Sequence, residues 1–442
     1  MPSPFQAFFY LLAYLAVLYV RPHDYVPWLI GVPILPILLF LGTVFWMARQ
    51  TKNMAAPQFK LLVVQLFLMS WSVLVSGWLS GAITVISDFY PVILLFYMVA
   101  TSVDSVQRLR QMFVLLSSVM FIIALHSIDQ AQAENGIGWT GAEMINERVA
   151  YLGFLNDPND LSMAFLMVLP MVIYMARRAS WKLMRLFWWG VVFAFLYSIK
   201  LANSRGAVLS LAAMTLQFGV FRFGLMRSLL AAPLMLLPII VFGPSRMDEM
   251  SSDEESAEGR IDAWYEGFNM LIHHPLFGVG KGLFVDYNYL TAHNSYVLAV
   301  AELGLCGYTV WISNIALTIL MARKVQTAGV PEPVAVPKNG PQPKAPEPVV
   351  EVESWPEVHE GMRTLWYGLV GGLVSMFFLS RSYVTILYVH IALIVAMYQL
   401  ARTYRPDIEE LTFSDRWGRL VTFAFGSVIV LWLITMILLR TK

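Results

Sequence analysis

The sequence predicts an all-α, polytopic integral membrane protein, and its composition supplies the first two observations for that class. Hydrophobic residue types make up 58% of the 442 residues and charged types only 13%, whereas an ordinary soluble domain has about 25% charged residues. The mean hydropathy is +0.64. A soluble chain this apolar could not cover its surface with polar groups, so the excess must face lipid. The net charge of +1 gives no basic field that would indicate nucleic-acid binding.

Apolar segments long enough to cross a bilayer are the third observation. A hydrocarbon core of ~30 Å takes about 20 apolar residues as a helix. Thirteen segments fit, with a count good to about one: 5–20, 28–47, 59–79, 83–101, 110–128, 160–176, 184–200, 206–222, 228–243, 294–321, 363–380, 383–399 and 418–439. The first lacks a charged n-region and a small-residue cleavage site, so it is interpreted as a span and not as a signal peptide.

The positions of lysine and arginine predict the orientation of these spans. With Met1 inside, about two thirds of the 30 basic residues fall in inner loops, as expected for cytoplasmic loops. Residues 129–159 and 244–293 are then outside. The C-terminal Arg440 and Lys442 also fall outside, against the rule.

Four regions follow from this topology. They are N-terminal spans at 1–130, a core at 131–321 that includes the outer loop 244–293, a cytoplasmic proline-rich linker at 322–362, and C-terminal spans at 363–442. The linker is rich in proline and poor in aromatic residues, which is typical of disordered or polyproline-II segments.

Basic residues in the predicted outer loops are exceptions to the charge rule and therefore candidates for function. Arg148 precedes residues 156–160 (NDPND), which predict a turn and the N-cap of the next span. Arg205 follows Asn203 and Ser204 at the entrance to a span. A charge at that depth is costly unless it faces water, a partner or a bound anion.

The outer loop 244–293 divides into three parts. The acidic run 248–258 favours a solvated linker over a metal site. Residues 260–272 have apolar side chains at helical spacing, which predicts an amphipathic helix on the membrane face, ended before Pro275. The glycine-rich segment 278–282 with Lys281 could cradle phosphate, but that signal is weak by itself.

His293 and Asn294 open the span that follows this loop. His293 has two interpretations, a structural residue at a helix start or a general base, because its pKa lies near neutrality. Arg205, Arg260 and Lys281 each have a structural interpretation as well. As a group, several cations and one base suit a lipid-linked pyrophosphate, whose oxygens arginine binds bidentately.

Several of these motifs, in this order, resemble the O-antigen ligase and polymerase family of bacterial membrane glycosyltransferases. The matching segments are Arg148 with Phe154 and 156–160, 204–207 (SRGA), Arg260 with Trp264 and 274–280 (HPLFGVG), and 292–296 (AHNSY) with 302–304 (ELG). The resemblance covers about residues 140–320. The longer inner linker and the extra thirteenth span depart from the family pattern.

This resemblance implies an all-helical fold of the lipid-linked-sugar glycosyltransferase (GT-C) type in the bacterial inner membrane, with the active site facing the periplasm. It implies a glycan donor on undecaprenyl pyrophosphate, an acceptor that is a glycan, lipid A-core or protein, and neither a cofactor nor a metal. Arg205 and Arg260 would bind the pyrophosphate and His293 would be the base. Arg148, Lys281 and Asn294 are further candidate substrate contacts.

Three alternatives remain open from the sequence. A protein O-oligosaccharyltransferase of the same family would use the same donor chemistry. A polysaccharide or glycolipid transporter would favour repeated halves and ionisable residues near the bilayer midplane, whereas the candidate charges here lie at span ends. A non-catalytic scaffold would leave the outer cations unexplained.

Overall fold

The computed structural model describes residues 4–48, 51–230, 250–329 and 355–440. In these ranges the chain forms helices and short turns, with no β-strand beyond two isolated bridges in the loop before Arg148. The helices are α1 (Pro4–Val20), α2 (Pro22–Tyr25), α3 (Ile34–Met47), α4 (Gln58–Val75), α5 (Leu79–Ser102), α6 (Val106–Gln132), α7 (Pro158–Arg178), α8 (Lys182–Ala202), α9 (Arg205–Phe223), α10 (Met250–His273), α11 (Phe284–Tyr287), α12 (Ser295–Thr327), α13 (Trp355–Met376), α14 (Thr385–Tyr404) and α15 (Trp417–Arg440).

Nine helices of the described chain are long and apolar enough to cross a membrane: α4 to α9, α12, α14 and α15. With α1, α3 and α13, twelve of the thirteen predicted segments overlap a helix. The thirteenth, 228–243, lies almost wholly outside the described residues. The prediction of an all-α, polytopic membrane protein is confirmed.

Two predicted loop segments are wrong in part. The acidic run 248–258 was expected to be a linker, but α10 begins at Met250 and includes residues 250–258, because their glutamates and alanine are good helix formers. The linker 322–362 is helical at both ends, since α12 continues to Thr327 and α13 begins at Trp355. Residues 330–354 lie outside the described part of the chain.

Helix α10 also differs from the expected surface helix. Its apolar stripe, including Ala263, Trp264 and Phe268, is buried. The helix packs against α12 and α15. The amphipathic pattern therefore reflects packing against neighbouring helices, which the same periodicity predicts equally well.

Small residues allow the central helices to approach closely. α7 and α14 are the most buried of the nine spans. On α13, a Cβ at Gly368 would lie 2.4 Å from the Met167 carbonyl oxygen, and one at Gly372 would lie 2.9 Å from the Met167 sulfur. Close backbone approach over small residues is the usual basis of helix packing in membranes.

The connections between helices gather at two ends of the bundle. At one end, which we call the site end, the Tyr151 hydroxyl donates to the Val20 carbonyl at 2.7 Å and the Arg148 Nε donates to the Ala202 carbonyl at 2.7 Å. At the opposite end, Arg178 pairs with Glu360. The two sets of loops are the ones that the sequence predicts to lie on opposite sides of the membrane.

Candidate functional site

A cavity of about 320 Å³ opens at the site end. Three arginines from separate segments line it: Arg148 from the loop before α7, Arg205 from the start of α9 and Arg260 from α10. The remaining lining residues are Asn159, Asn203, Ser204, Gly206, Ala207, Ile261, Trp264, Ser375, Phe378, Leu379 and Leu438. The cavity thus has a cationic side and an apolar side.

Arg205 is placed by the cap of α9. The Ser204 hydroxyl accepts a hydrogen bond from the Ala207 amide at 3.3 Å, as an N-cap serine does. Gly206 packs against Phe378, where a Cβ would be 3.0 Å from the phenylalanine side chain. The positive end of a helix and a guanidinium therefore share one wall of the cavity, an arrangement that favours an anion.

Arg260 lies one turn before Trp264, which fixes α10 to the segment that carries His293. The indole of Trp264 donates to the Ala292 carbonyl at 2.7 Å. Burial lowers the pKa of Arg260 and the charge of Arg205 lowers it further, while Asp157 opposes the shift. Two like charges held near each other are relieved by an anion bound between them.

Arg148 is held by the NDPND segment. Its Nη2 donates to the Asn159 side-chain oxygen at 2.7 Å. Asp157 caps α7, with its carboxylate accepting from the Asn159 amide at 2.7 Å, and Pro158 occupies the first helical position. The predicted turn and N-cap are confirmed, and they position a cavity arginine.

His293 does not line the cavity, although it adjoins the cavity wall on two sides. The preceding carbonyl, of Ala292, is held by Trp264. The His293 amide donates to the Ser380 hydroxyl at 2.8 Å, and Ser380 follows the lining residue Leu379. The structure therefore connects the base candidate to the arginine cavity through a shared wall.

The surroundings of His293 favour a neutral imidazole. Burial lowers its pKa below the ordinary 6.5, and the charges of Arg260 and Arg381 lower it further, against an opposing effect of Asp157. Arg205 is not among the charges that act on His293.

Asn294 is the N-cap of α12. Its buried side-chain oxygen accepts from the amides of Tyr296 at 2.9 Å and Val297 at 3.1 Å. Within the described residues its Nδ2 has no hydrogen-bond partner. The cap holds the segment in which His293 precedes the helix.

The glycine segment 278–282 packs onto α12, which is kinked at Gly304. Its amides donate to protein acceptors, namely Gly278 to the His274 carbonyl, Val279 to the Ala301 carbonyl, Gly280 to the Glu302 carbonyl, Lys281 to the Ser72 hydroxyl and Gly282 to the Glu302 carboxylate. None of these five amides is left for a phosphate. Lys281 does not line the arginine cavity, and its role as a substrate contact stays a prediction.

Arg381, which sequence reasoning did not single out, belongs to the same end. Its Nε donates to Asp160 Oδ2 at 2.6 Å. Burial alone would lower the pKa of Arg381, but the hydrogen bond and charge of Asp160 raise it. The sequence contained a signal, since Arg381 is an outer-loop arginine after a serine, as Arg205 is.

The fold is that of a multi-pass membrane protein with an arginine-lined cavity among the loops at one end of its helices. The sequence model of one protein family, described as O-Antigen ligase, matches residues 190–312. The match spans Arg205, Arg260 and His293, and for this segment it confirms the resemblance to the O-antigen ligase family. A comparison with curated proteins gave no significant match.

Proposed function

We propose that this protein is a metal-independent glycosyltransferase of the bacterial inner membrane that transfers a glycan from undecaprenyl pyrophosphate to an acceptor hydroxyl at the periplasmic face. The observation that carries the proposal is the cavity in which Arg148, Arg205 and Arg260 converge from three separate segments. Arginine binds phosphate oxygens through its planar fork, so three guanidiniums around one cavity suit a pyrophosphate.

The apolar side of the cavity suits the lipid part of such a donor. Ile261, Trp264, Leu379 and Leu438 line it. Leu438 lies on α15, a helix whose span is only 22% buried and so has much surface to offer to lipid. An isoprenoid chain can lie against these residues while its pyrophosphate contacts the arginines.

In the transfer step, His293 accepts the proton of the acceptor hydroxyl. The acceptor oxygen bonds to the anomeric carbon, and the bond from that carbon to the pyrophosphate oxygen breaks with its electron pair on the leaving group. Arg205 and Arg260 stabilise this growing charge. Direct displacement at one carbon inverts the anomeric configuration.

The three acceptor classes share this chemistry. A lipid A-core ligase, a polysaccharide polymerase and a protein O-oligosaccharyltransferase differ in what brings the hydroxyl to His293. Deletion of the gene distinguishes the first two, because single repeat units persist when a polymerase is lost, whereas polymer stays on the carrier lipid when a ligase is lost. A transporter is disfavoured, because none of the three cations lies near the middle of a span: Arg148 is in a loop, Arg205 begins α9, and Arg260 is on α10, which is not among the nine candidate spans.

The proposal is tested with purified protein and a lipid-linked donor. We expect Arg205→Ala and Arg260→Ala to lower transfer roughly 10²–10³-fold, since each removes a charge-assisted contact that strengthens in the transition state. Lysine at either position should rescue poorly, because an ammonium lacks the bidentate fork.

The matched control is Arg402→Ala, which removes an arginine that pairs with Glu410 at the opposite end. It should retain normal transfer. Near-normal transfer by both cavity variants would show that the pyrophosphate site is elsewhere.

A further inference from the structure

Arg381 is an arginine of the site end that does not line the cavity. It lies between α13 and α14, outside the segment that matches the family. The Arg381 backbone is fixed, since its amide donates to the Ser295 hydroxyl at 2.9 Å. Its guanidinium is fixed as well, since Nε donates to Asp160 Oδ2 at 2.6 Å.

The ion pair of Arg381 with Asp160 leaves hydrogen-bonding groups of both side chains unused. The Asp160 side chain is 1% exposed and that of Arg381 is 41% exposed. Nε and Nη2 of Arg381 both contact the same oxygen, Oδ2, and the buried Oδ1 has no partner among the described residues. Nη1 likewise has no hydrogen bond within the described chain, so a preset guanidinium edge remains available to a ligand.

The arginines near His293 differ in which groups their charges act on. The charge of Arg205 acts on Arg260. The charges of Arg260 and Arg381, but not that of Arg205, act on His293. His293 is therefore near both Arg260 of the cavity and Arg381, and its amide contacts Ser380, the residue before Arg381.

We propose that Arg381, preset by Asp160, binds an anionic group of the acceptor substrate beside His293 and outside the arginine cavity. The inference rests on the proposed function, in which the acceptor hydroxyl is deprotonated at His293. The group is a phosphate or a sugar carboxylate, because both offer the paired oxygens that a guanidinium edge binds. A fixed guanidinium loses little side-chain entropy on binding, which favours recognition of a charged acceptor.

The test follows the His293 ring in the full-length protein in lipid nanodiscs. Carbon-13 labelling of the histidines, of which the chain has 7, gives one signal that is absent in His293→Gln and so belongs to His293. The cavity is first saturated with inorganic pyrophosphate, and inorganic phosphate or glucuronate is then added in separate titrations. An anion on Arg381 should raise the His293 pKa, since it screens a neighbouring positive charge.

The diagnostic variant is Asp160→Asn combined with Arg381→Gln, which avoids leaving a buried carboxylate without its partner. We expect it to keep the response to pyrophosphate and to lose the response to the second anion. Arg381→Lys retains a cation beside Asp160 and should weaken binding of the second anion about tenfold. Arg178→Gln, at the opposite end, serves as the control and should behave as the wild type.

The outcomes separate the two proposals. A wild-type response to phosphate alone indicates a phosphorylated acceptor, and a response to glucuronate alone indicates an acidic sugar. A second response that is absent in the wild type, or that persists in the double variant and in Arg381→Lys, overturns the inference. A wild type that does not respond even to pyrophosphate instead contradicts the proposed function.

Discussion

His293 adopts a backbone conformation that few residues with a side chain adopt, with φ at 46°. Three neighbours hold it there: Trp264 through the preceding carbonyl, Ser380 through the His293 amide, and Asn294 as the cap of the helix that follows. Backbone strain of this kind persists only where the surroundings over-determine it, and it clusters at functional sites. This observation supports His293 as a reacting group.

We expect His293→Gln to keep binding of the lipid-linked donor and to lose glycan transfer. Donor binding depends on the arginines, whereas proton acceptance needs the imidazole. The wild-type rate should also fall as the pH drops through the His293 pKa, because the protonated ring cannot accept a proton. Since that pKa is lowered from 6.5, the midpoint of the fall should lie below pH 6.5.

The measurement pairs a transfer assay over a pH series with a donor-binding assay on the same preparation. Loss of binding together with transfer would make His293 a structural residue. Survival of transfer would remove it from the mechanism.

The sequence predicted the cavity arginines and the histidine because each stands out locally. Arg205 and Arg260 are basic residues in loops that are predicted to lie outside, where such residues are rare. The match to the family spans both. Arg381 is also an outer-loop arginine, but its ion pair could not be predicted, because its partner Asp160 is 221 residues away. Local spacing carries no information about such a pair, which only the packing of α7 near the α13–α14 loop creates.

At the scale of elements, the contact between the glycine segment 278–282 and α12 fixes the end of α10 relative to His293. Gly304 has φ at 58°, and a Cβ there would lie 2.5 Å from the Gly278 amide nitrogen. The Leu305 amide donates to the Pro275 carbonyl at 2.8 Å across this contact. The glycines of segment 278–282 allow its backbone to lie close to the backbone of α12. Their pattern in the sequence had suggested a phosphate-binding loop instead.

We expect Gly304→Ala to destabilise the protein by about 3 kcal/mol or more, because the substitution combines a positive φ with a clash against backbone. The measurement is thermal unfolding of purified protein in detergent, together with the monomeric fraction by size exclusion. Gly426→Ala on α15 is the control, since a Cβ there meets no atom within 4 Å. Equal stability of the two variants would contradict the close contact between Gly304 and the glycine segment.

Helix ends were the least predictable part of the elements. The acidic run before Arg260 and the ends of the proline-rich linker are polar, so hydropathy marks them as loops. Their residues nevertheless have adequate helix propensity, and α10, α12 and α13 extend into them. Hydropathy detects the part of a helix that faces lipid and not the part that continues beyond it.

Across the whole molecule, the two ends of the helix bundle differ in how their basic residues are arranged. The opposite end carries cations that pair with acidic residues, such as Lys324 with Glu409 and Arg405 with Asp407. The site end gathers Arg148, Arg205 and Arg260 around a cavity. A bound anionic substrate would explain why arginines accumulate on the side that the charge rule predicts to be poor in them.

The C-terminal helix α15 also ends on the side of the arginine cavity. Its residue Leu438 lines the cavity, so α15 ends at the site end. The sequence placed Arg440 and Lys442 outside against the charge rule, and the position of Leu438 agrees with that side. Since α15 begins at the opposite end near Glu409 and Arg416, it runs the length of the bundle.

The predicted orientation is that the site end faces the periplasm and the opposite end faces the cytoplasm. In a Cys306→Ala background, which removes the single cysteine, we expect Tyr289→Cys to react with an impermeant thiol reagent added to cells with a permeabilised outer membrane. Tyr289 is 82% exposed in the outer loop. Asp407→Cys, whose parent side chain is 62% exposed at the opposite end, should react only after the inner membrane is disrupted. The reverse pattern of labelling would place the arginine cavity in the cytoplasm, where a donor presented at the outer leaflet could not reach it.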